Sequence, residues 1–315
     1  MRVFLAGASG AMGKQLIPRL TSNGHEVVGM IRSESKLDLV RSLGARPVVA
    51  DAFDNEAVAK VIGEAEPEVI LHQLTAIPGN LEPRHFDRDF AATNRLRTEG
   101  TDHLLSAARD VGARRFIAQS YAGWPYARDG GPIKDEDDPL DPDPPAQFRR
   151  TLEAIRHVEA AVTSAEGLEG LVLRYGAFYG PGTSIGRTPE GAQVTAVRKR
   201  RFPVVGSGAG VWSFVQIEDA ATATAATVTV GAPGIYNVVD DDPAPVSEWL
   251  PALAAAVEAK PPRRVPLWLG RLVAGEAATV LMTKSRGASN AKAKRELAWE
   301  LRYPSWRTGF GAGLG

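Results

Sequence analysis

The feature that most constrains this chain is a short run of residues, Gly7-Ala8-Ser9-Gly10-Ala11-Met12-Gly13, set between an apolar stretch at 2–6 and a stretch of helical period at 11–21. Glycines at three-residue spacing let the backbone turn sharply, approach a bulky anion closely and aim the positive end of a helix at it. After a first strand and at the start of a helix, the pattern predicts a dinucleotide-binding turn in which Gly7, Ser9, Gly10, Ala11, Met12 and Gly13 cradle a pyrophosphate.

The remaining pattern agrees with that start. Short apolar runs at 2–6, 26–31, 46–50, 68–74, 114–119 and 170–175 alternate with segments of helical period at 11–21, 36–43, 55–63, 86–111 and 146–165. Such alternation predicts an α/β fold, a doubly wound parallel Rossmann sheet with helices on both faces. A loop rich in Pro and Asp at 134–145 fits neither a helix nor a central strand. Beyond Tyr175 the chain is punctuated by Gly and Pro, with strands expected at 211–217 and 235–239 and helices from Ala220, at 246–258 and at 267–282. The expected division is a cofactor-binding domain at 1–175 plus 211–240, and a smaller C-terminal substrate-binding lobe at 176–210 plus 241–315.

Composition narrows the partners. Lys plus Arg and Asp plus Glu both number 37, so no overall field favours nucleic acid. The chain has no cysteine, and its five histidines show no metal-ligand spacing, so no metal is expected. The N-terminus enters a strand directly and no window reaches about 18 uninterrupted apolar residues, which predicts a cytoplasmic chain with no membrane segment.

Cofactor choice is read at the strand ends. Arg32 follows the second strand, where an acidic residue would favour NAD; a cation there suits the 2′-phosphate, so NADP(H) is expected over NAD(H). Asp51, with Ala52, ends the third strand within reach of an adenine amino group, while Asp54 is better placed to cap the next helix. Leu74 and Thr75 lie at the carboxyl edge of the fourth strand, with His72 read as a packed strand residue.

Several segments together carry a family resemblance: the glycine turn, Gly100-Thr101 with His103-Leu104-Leu105, the run from Arg174 to Gly182, and the run from Val211 to Ala221. On these the chain resembles the extended short-chain dehydrogenases/reductases, the group of NAD-dependent sugar epimerases and dehydratases, over nearly its whole length. The resemblance implies Tyr175 and Phe178 at the cofactor, a small-molecule substrate between the two lobes, and a homodimer built on the fourth and fifth helices. It also implies a catalytic Ser or Thr after the fifth strand and a Tyr-x-x-x-Lys on the next helix. Aligned on Glu159, however, those two positions hold Thr151 and Ile155, and no tyrosine in the chain precedes a lysine by four residues. The family's Asn-x-x-Gly-Thr carries Arg97 in the Asn place.

Ser120 and Tyr121 are the hydroxyls left near the expected nicotinamide. The sequence therefore predicts an NADP(H)-dependent oxidoreductase acting on a small organic substrate, in which Ser120 and Tyr121 orient and protonate the substrate. Two alternatives stand beside it: an NAD(P)-dependent epimerase or dehydratase, and a non-catalytic protein that senses NADP(H).

Overall fold

The computed structural model describes residues 1–79 and 82–315. The first unit runs β1 (Arg2–Ala6), α1 (Ala11–Ser22), β2 (Glu26–Ile31), α2 (Leu37–Ser42), β3 (Arg46–Val49), α3 (Asn55–Ala65) and β4 (Val69–His72). It continues through α4 (Phe86–Asp89), α5 (Ala91–Arg95), a π-helical turn (Leu96–Gly100), α6 (Thr101–Asp110), β5 (Arg115–Tyr121), a short β6 (Ile133–Lys134), α7 (Arg149–Thr163) and β7 (Glu169–Tyr175).

The second half holds β8 (Ala177–Tyr179), α8 (Ala192–Arg198), β9 (Val204–Val205), β10 (Val211–Trp212), β11 (Phe214–Gln216), α9 (Ile217–Ala226), β12 (Gly234–Val238) and β13 (Ala244–Pro245). It ends with α10 (Val246–Ala256), β14 (Arg264–Val265), α11 (Leu267–Thr283), β15 (Gly287–Ala288), α12 (Ala291–Leu297) and α13 (Trp306–Ala312).

The main sheet is seven-stranded and parallel, in the order β12-β7-β5-β4-β1-β2-β3. Both faces are buried, so its strands read as continuous apolar runs. On β1, Val3 and Leu5 pack into one core with α1 and α9, while Phe4 and Ala6 pack into another with α3, α6 and α7. A third apolar cluster, built around Trp249, Phe214, Trp306 and Phe310, lies in the C-terminal half.

Two sequence expectations change. The single helix expected at 86–111 is divided into α4, α5, the π turn and α6. The strand expected at 211–217 splits at Ser213: β10 pairs antiparallel with β13, whereas β11 pairs parallel with β8. Asn290 precedes α12 but makes no side-chain cap; its amide donates instead to Val239 O and Asp241 Oδ1. Among the described residues no helix is long and apolar enough to cross a membrane.

Candidate active site

The glycine turn is held against two strands. Gly7 and Ala8 N–H both donate to Met30 O, and Gly7 takes a φ of +99° that favours glycine. A β-carbon on Gly7 would meet Gln73 O at 2.8 Å, and one on Gly13 would meet Ala8 O at 2.4 Å. Gly10, exposed, precedes α1 without a side-chain cap, and the first turn of α1 carries no acidic residue. Its leading amides at Ala11, Met12 and Gly13 precede the first intrahelical bond, from Lys14 N–H to Gly10 O, and are left for an external acceptor. An open cradle, uncapped amides and a helix dipole fit a pyrophosphate. The Met12 side chain is buried in the core, so its part in such a site falls to its backbone.

Around this cradle, Arg32 is exposed just past β2 and makes no ion pair among the described residues. Asp51, exposed after β3, closes a turn by accepting from Phe53 N–H at 3.1 Å, and Asp54 caps α3 through Ala57 N–H at 3.0 Å. Ala52 is buried and its carbonyl lies 2.9 Å from His103 Nδ1. At the end of β4, Leu74 O accepts from Gln119 Nε2 at 3.0 Å, Thr75 is exposed, and Gln73 Nε2 is a buried donor without a partner among the described residues. His72 is buried; its Nε2 lies 3.1 Å from Thr101 Oγ1 and its Nδ1 accepts from Leu74 N–H at 3.4 Å. Burial lowers it to about 4, against the hydrogen bond to Leu96 O, so the imidazole is neutral at pH 7.

The two hydroxyls expected to act on substrate part company. Ser120, 2% exposed, donates to Glu159 Oε1 at 2.7 Å. Glu159 also receives Arg174 in a fork, Nε to Oε1 at 2.8 Å and Nη2 to Oε2 at 2.7 Å. Arg174 continues to Tyr126 OH at 3.0 Å, and Tyr126 donates to Asn237 Oδ1 at 2.6 Å. Burial alone would pull the Arg174 guanidinium down, but Glu159 and Tyr126 carry it above its ordinary value. In this arrangement the Ser120 proton is given to the network inside the fold. Tyr121 is half-buried at the strand end; burial pushes its phenol up to about 12, with Arg97 pulling the other way.

On α7, Thr151 and Ile155 are both buried. The Thr151 hydroxyl donates to Asp87 Oδ1 at 2.6 Å and accepts from Asn94 Nδ2 at 3.0 Å. Asp87 also accepts the Arg150 and Thr151 amides at 3.0 and 2.9 Å, capping α7 from another helix. That cap carries no local sequence signature.

Of the aromatic residues expected near the cleft, Trp124 and Trp212 line a small pocket together with Tyr121, Gly123, Leu281 and Ser285. Tyr126 and Tyr179 are core residues. Tyr175 also turns inward: its phenol lies 2.7 Å from Thr224 Oγ1, while Phe178, 5.1 Å away by ring centroid, is half-buried. The basic run at 198–201 is a surface feature in which Arg198 pairs with Glu190.

A family model described as NAD dependent epimerase/dehydratase family matches residues 3–238. Over 312 residues the chain is 43% identical to a 3-diazoavenalumate denitrifying reductase of a Streptomyces species, covering 99% of each chain. It is 27% identical over 258 residues to a 4-hydroxy-2-methyl-3-oxo-4-farnesyl-3,4-dihydroquinoline-1-oxide ketoreductase of Stigmatella aurantiaca, covering 80% of this chain and 72% of that one. Among solved structures, the Thermus thermophilus UDP-glucose 4-epimerase in complex with NAD superposes with a TM-score of 0.74 at 22% identity, over 100% of this chain and 98% of the other.

Proposed function

The chain belongs to the NAD dependent epimerase/dehydratase family, and on that premise we propose that it is an NADP(H)-dependent reductase whose acceptor needs no proton from the protein, an aryl diazonium being the class that fits best. The observation that carries this reading is the commitment of the α7 face and its neighbour. Thr151 is bound to Asp87, Ile155 has no titratable group, and Ser120 is bound to Glu159. Tyr121, with its phenol pushed up to about 12, is a weak acid at pH 7.

The residues that would hold the cofactor are the glycine turn and first amides of α1 for the pyrophosphate, Asp51 for the adenine, and Arg32 for the 2′-phosphate. When bound in reduced form, the nicotinamide supplies a hydride. An aryl diazonium is completed by hydride alone: a C–H bond forms, the C–N pair leaves with dinitrogen, and no proton changes hands. The name of the 43% identical reductase, with its diazo substrate and denitrifying activity, supports the choice of class. In this reading Tyr121, Trp124 and Trp212 wall the acceptor and exclude water, and Ser120 positions Glu159 and Arg174 behind them.

The test is to incubate the protein with NADPH or NADH and a carboxybenzenediazonium salt, against a protein-free control. Deuterium from C4 of the labelled cofactor is expected on the carbon that lost nitrogen. NADPH is expected to be preferred, and Arg32→Ala to lose about tenfold in NADPH affinity while leaving NADH unchanged. Cofactor binding with no labelled arene would overturn the reductase reading in favour of a sensing role.

A further inference from the structure

We propose that Arg97 recognises an oxyanion on the substrate, so that the acceptor at this site is an arene bearing a phenolate or a carboxylate. The reacting group in this proposal rests on the reductase reading above; the anion does not.

The molecule treats its buried arginines consistently, with one exception. Arg115 donates to Glu169 and to the carbonyls of Thr227, Val230 and Gly231. Arg174 is forked onto Glu159 and reaches Tyr126. Arg97 is 4% exposed, yet its Nε and Nη1 are buried without a partner, and its side chain makes no hydrogen bond or ion pair among the described residues. An unpaired guanidinium inside a protein is costly to fold around, and a buried polar group left without a partner calls for an explanation, a bound ligand being one.

Among the described residues no carboxylate pairs with it. Glu159 is close enough to act on Arg97 electrostatically, but its two oxygens are occupied by Ser120 and Arg174. His72 is neutral. Tyr121 is the remaining neighbour of opposite tendency, and its phenol keeps its proton. The cluster of Arg97, Tyr121, His72, Glu159 and Arg174 therefore carries one uncompensated positive charge.

Placement gives that charge a use. Arg97 stands in the π-helical turn, which packs against α7 at the carboxyl edge of the sheet; such turns re-aim a side chain relative to a regular helix. It acts on Tyr121, and Tyr121 lines the cavity walled by Trp124 and Trp212. Aromatic walls suit a flat ring, and the planar guanidinium whose charge reaches Tyr121 offers paired donors to a carboxylate or phenolate. Where the oxyanion is conjugated with a diazonium, a cation on the oxygen keeps positive charge at the carbon that accepts hydride.

The test compares wild type, Arg97→Lys and Arg97→Met, each saturated with NADP+, for binding of 4-nitrophenolate, benzoate and neutral benzamide by tryptophan fluorescence. Arg97→Met is expected to lose roughly tenfold or more in affinity for at least one anion. Benzamide and NADP+ affinities should hold, the melting temperature should stay or rise, and Arg97→Lys should recover part of the loss. Loss confined to 4-nitrophenolate identifies a phenolate, and loss confined to benzoate a carboxylate. Equal losses for benzamide, a loss of NADP+ affinity, a marked fall in melting temperature, or no anion binding by the wild type would each overturn the proposal. The deuterium-transfer assay judges the reductase reading separately.

Discussion

His72 shows how burial decides the role of a titratable residue at the sheet edge. Its neutral ring satisfies both nitrogens, Nε2 with Thr101 and Leu96 O and Nδ1 with the Leu74 amide, and protonation would remove the Nδ1 acceptor. Its folded value of about 4 lies below the ordinary 6.5, so between these pH values the unfolded chain binds more protons. The stabilisation is therefore complete above about pH 6.5 and is lost as pH falls toward 4, by about 3 kcal/mol in all. Urea melts at pH 7 and pH 4.5 should show wild type losing more stability than His72→Asn. Equal losses would mean that His72 does not titrate at this depressed value.

At the scale of elements, α7 depends on a residue distant in sequence. The start of α7 has no side-chain cap of its own, and Asp87 on α4 supplies one to Arg150 and Thr151. Asp87→Ala should cost roughly 1 to 2 kcal/mol, the size of a lost cap, read as a lower melting temperature. Because the same carboxylate fixes Thr151, α7 should also loosen beside the site, seen as faster amide exchange in its first turn. Unchanged exchange there would show that the cap is dispensable. The π turn is the second such element: it directs the Leu96 carbonyl to His72 and holds Arg97 beside Tyr121.

For the whole molecule, the last turn of chain closes the C-terminal core. Asp219 accepts the Arg302 and Tyr303 amides at 2.9 and 2.8 Å, and Asp240 accepts the Trp306 amide at 2.8 Å. Trp306, Phe310 and Leu314 are each 1% exposed and pack with Phe214, Tyr179 and Trp249. Burying three such side chains contributes roughly 2 to 3 kcal/mol apiece, comparable with the whole stability of a domain. A chain ending at Ser305 should therefore lose its cooperative thermal transition. A truncated protein that melts within a few degrees of wild type would show that the tail is an accessory.

The sequence by itself determined the parallel sheet, its two buried faces and the glycine cradle, because those depend on local periodicity and on spacing within one strand-turn-helix unit. It also revealed the absence of a Tyr-x-x-x-Lys pair, since that too is a matter of spacing. The split at Ser213, the trans cap by Asp87, the burial of the Ser120 hydroxyl against Glu159 and the lone buried cation at Arg97 were decided only by tertiary structure. A polar side chain's role depends on which partners reach it, and here those partners lie 39 residues away for Ser120 and 63 for Arg150. Arg97 was visible in the sequence as a departure from a motif. That its charge has no partner among the described residues follows only once every neighbouring carboxylate has been assigned.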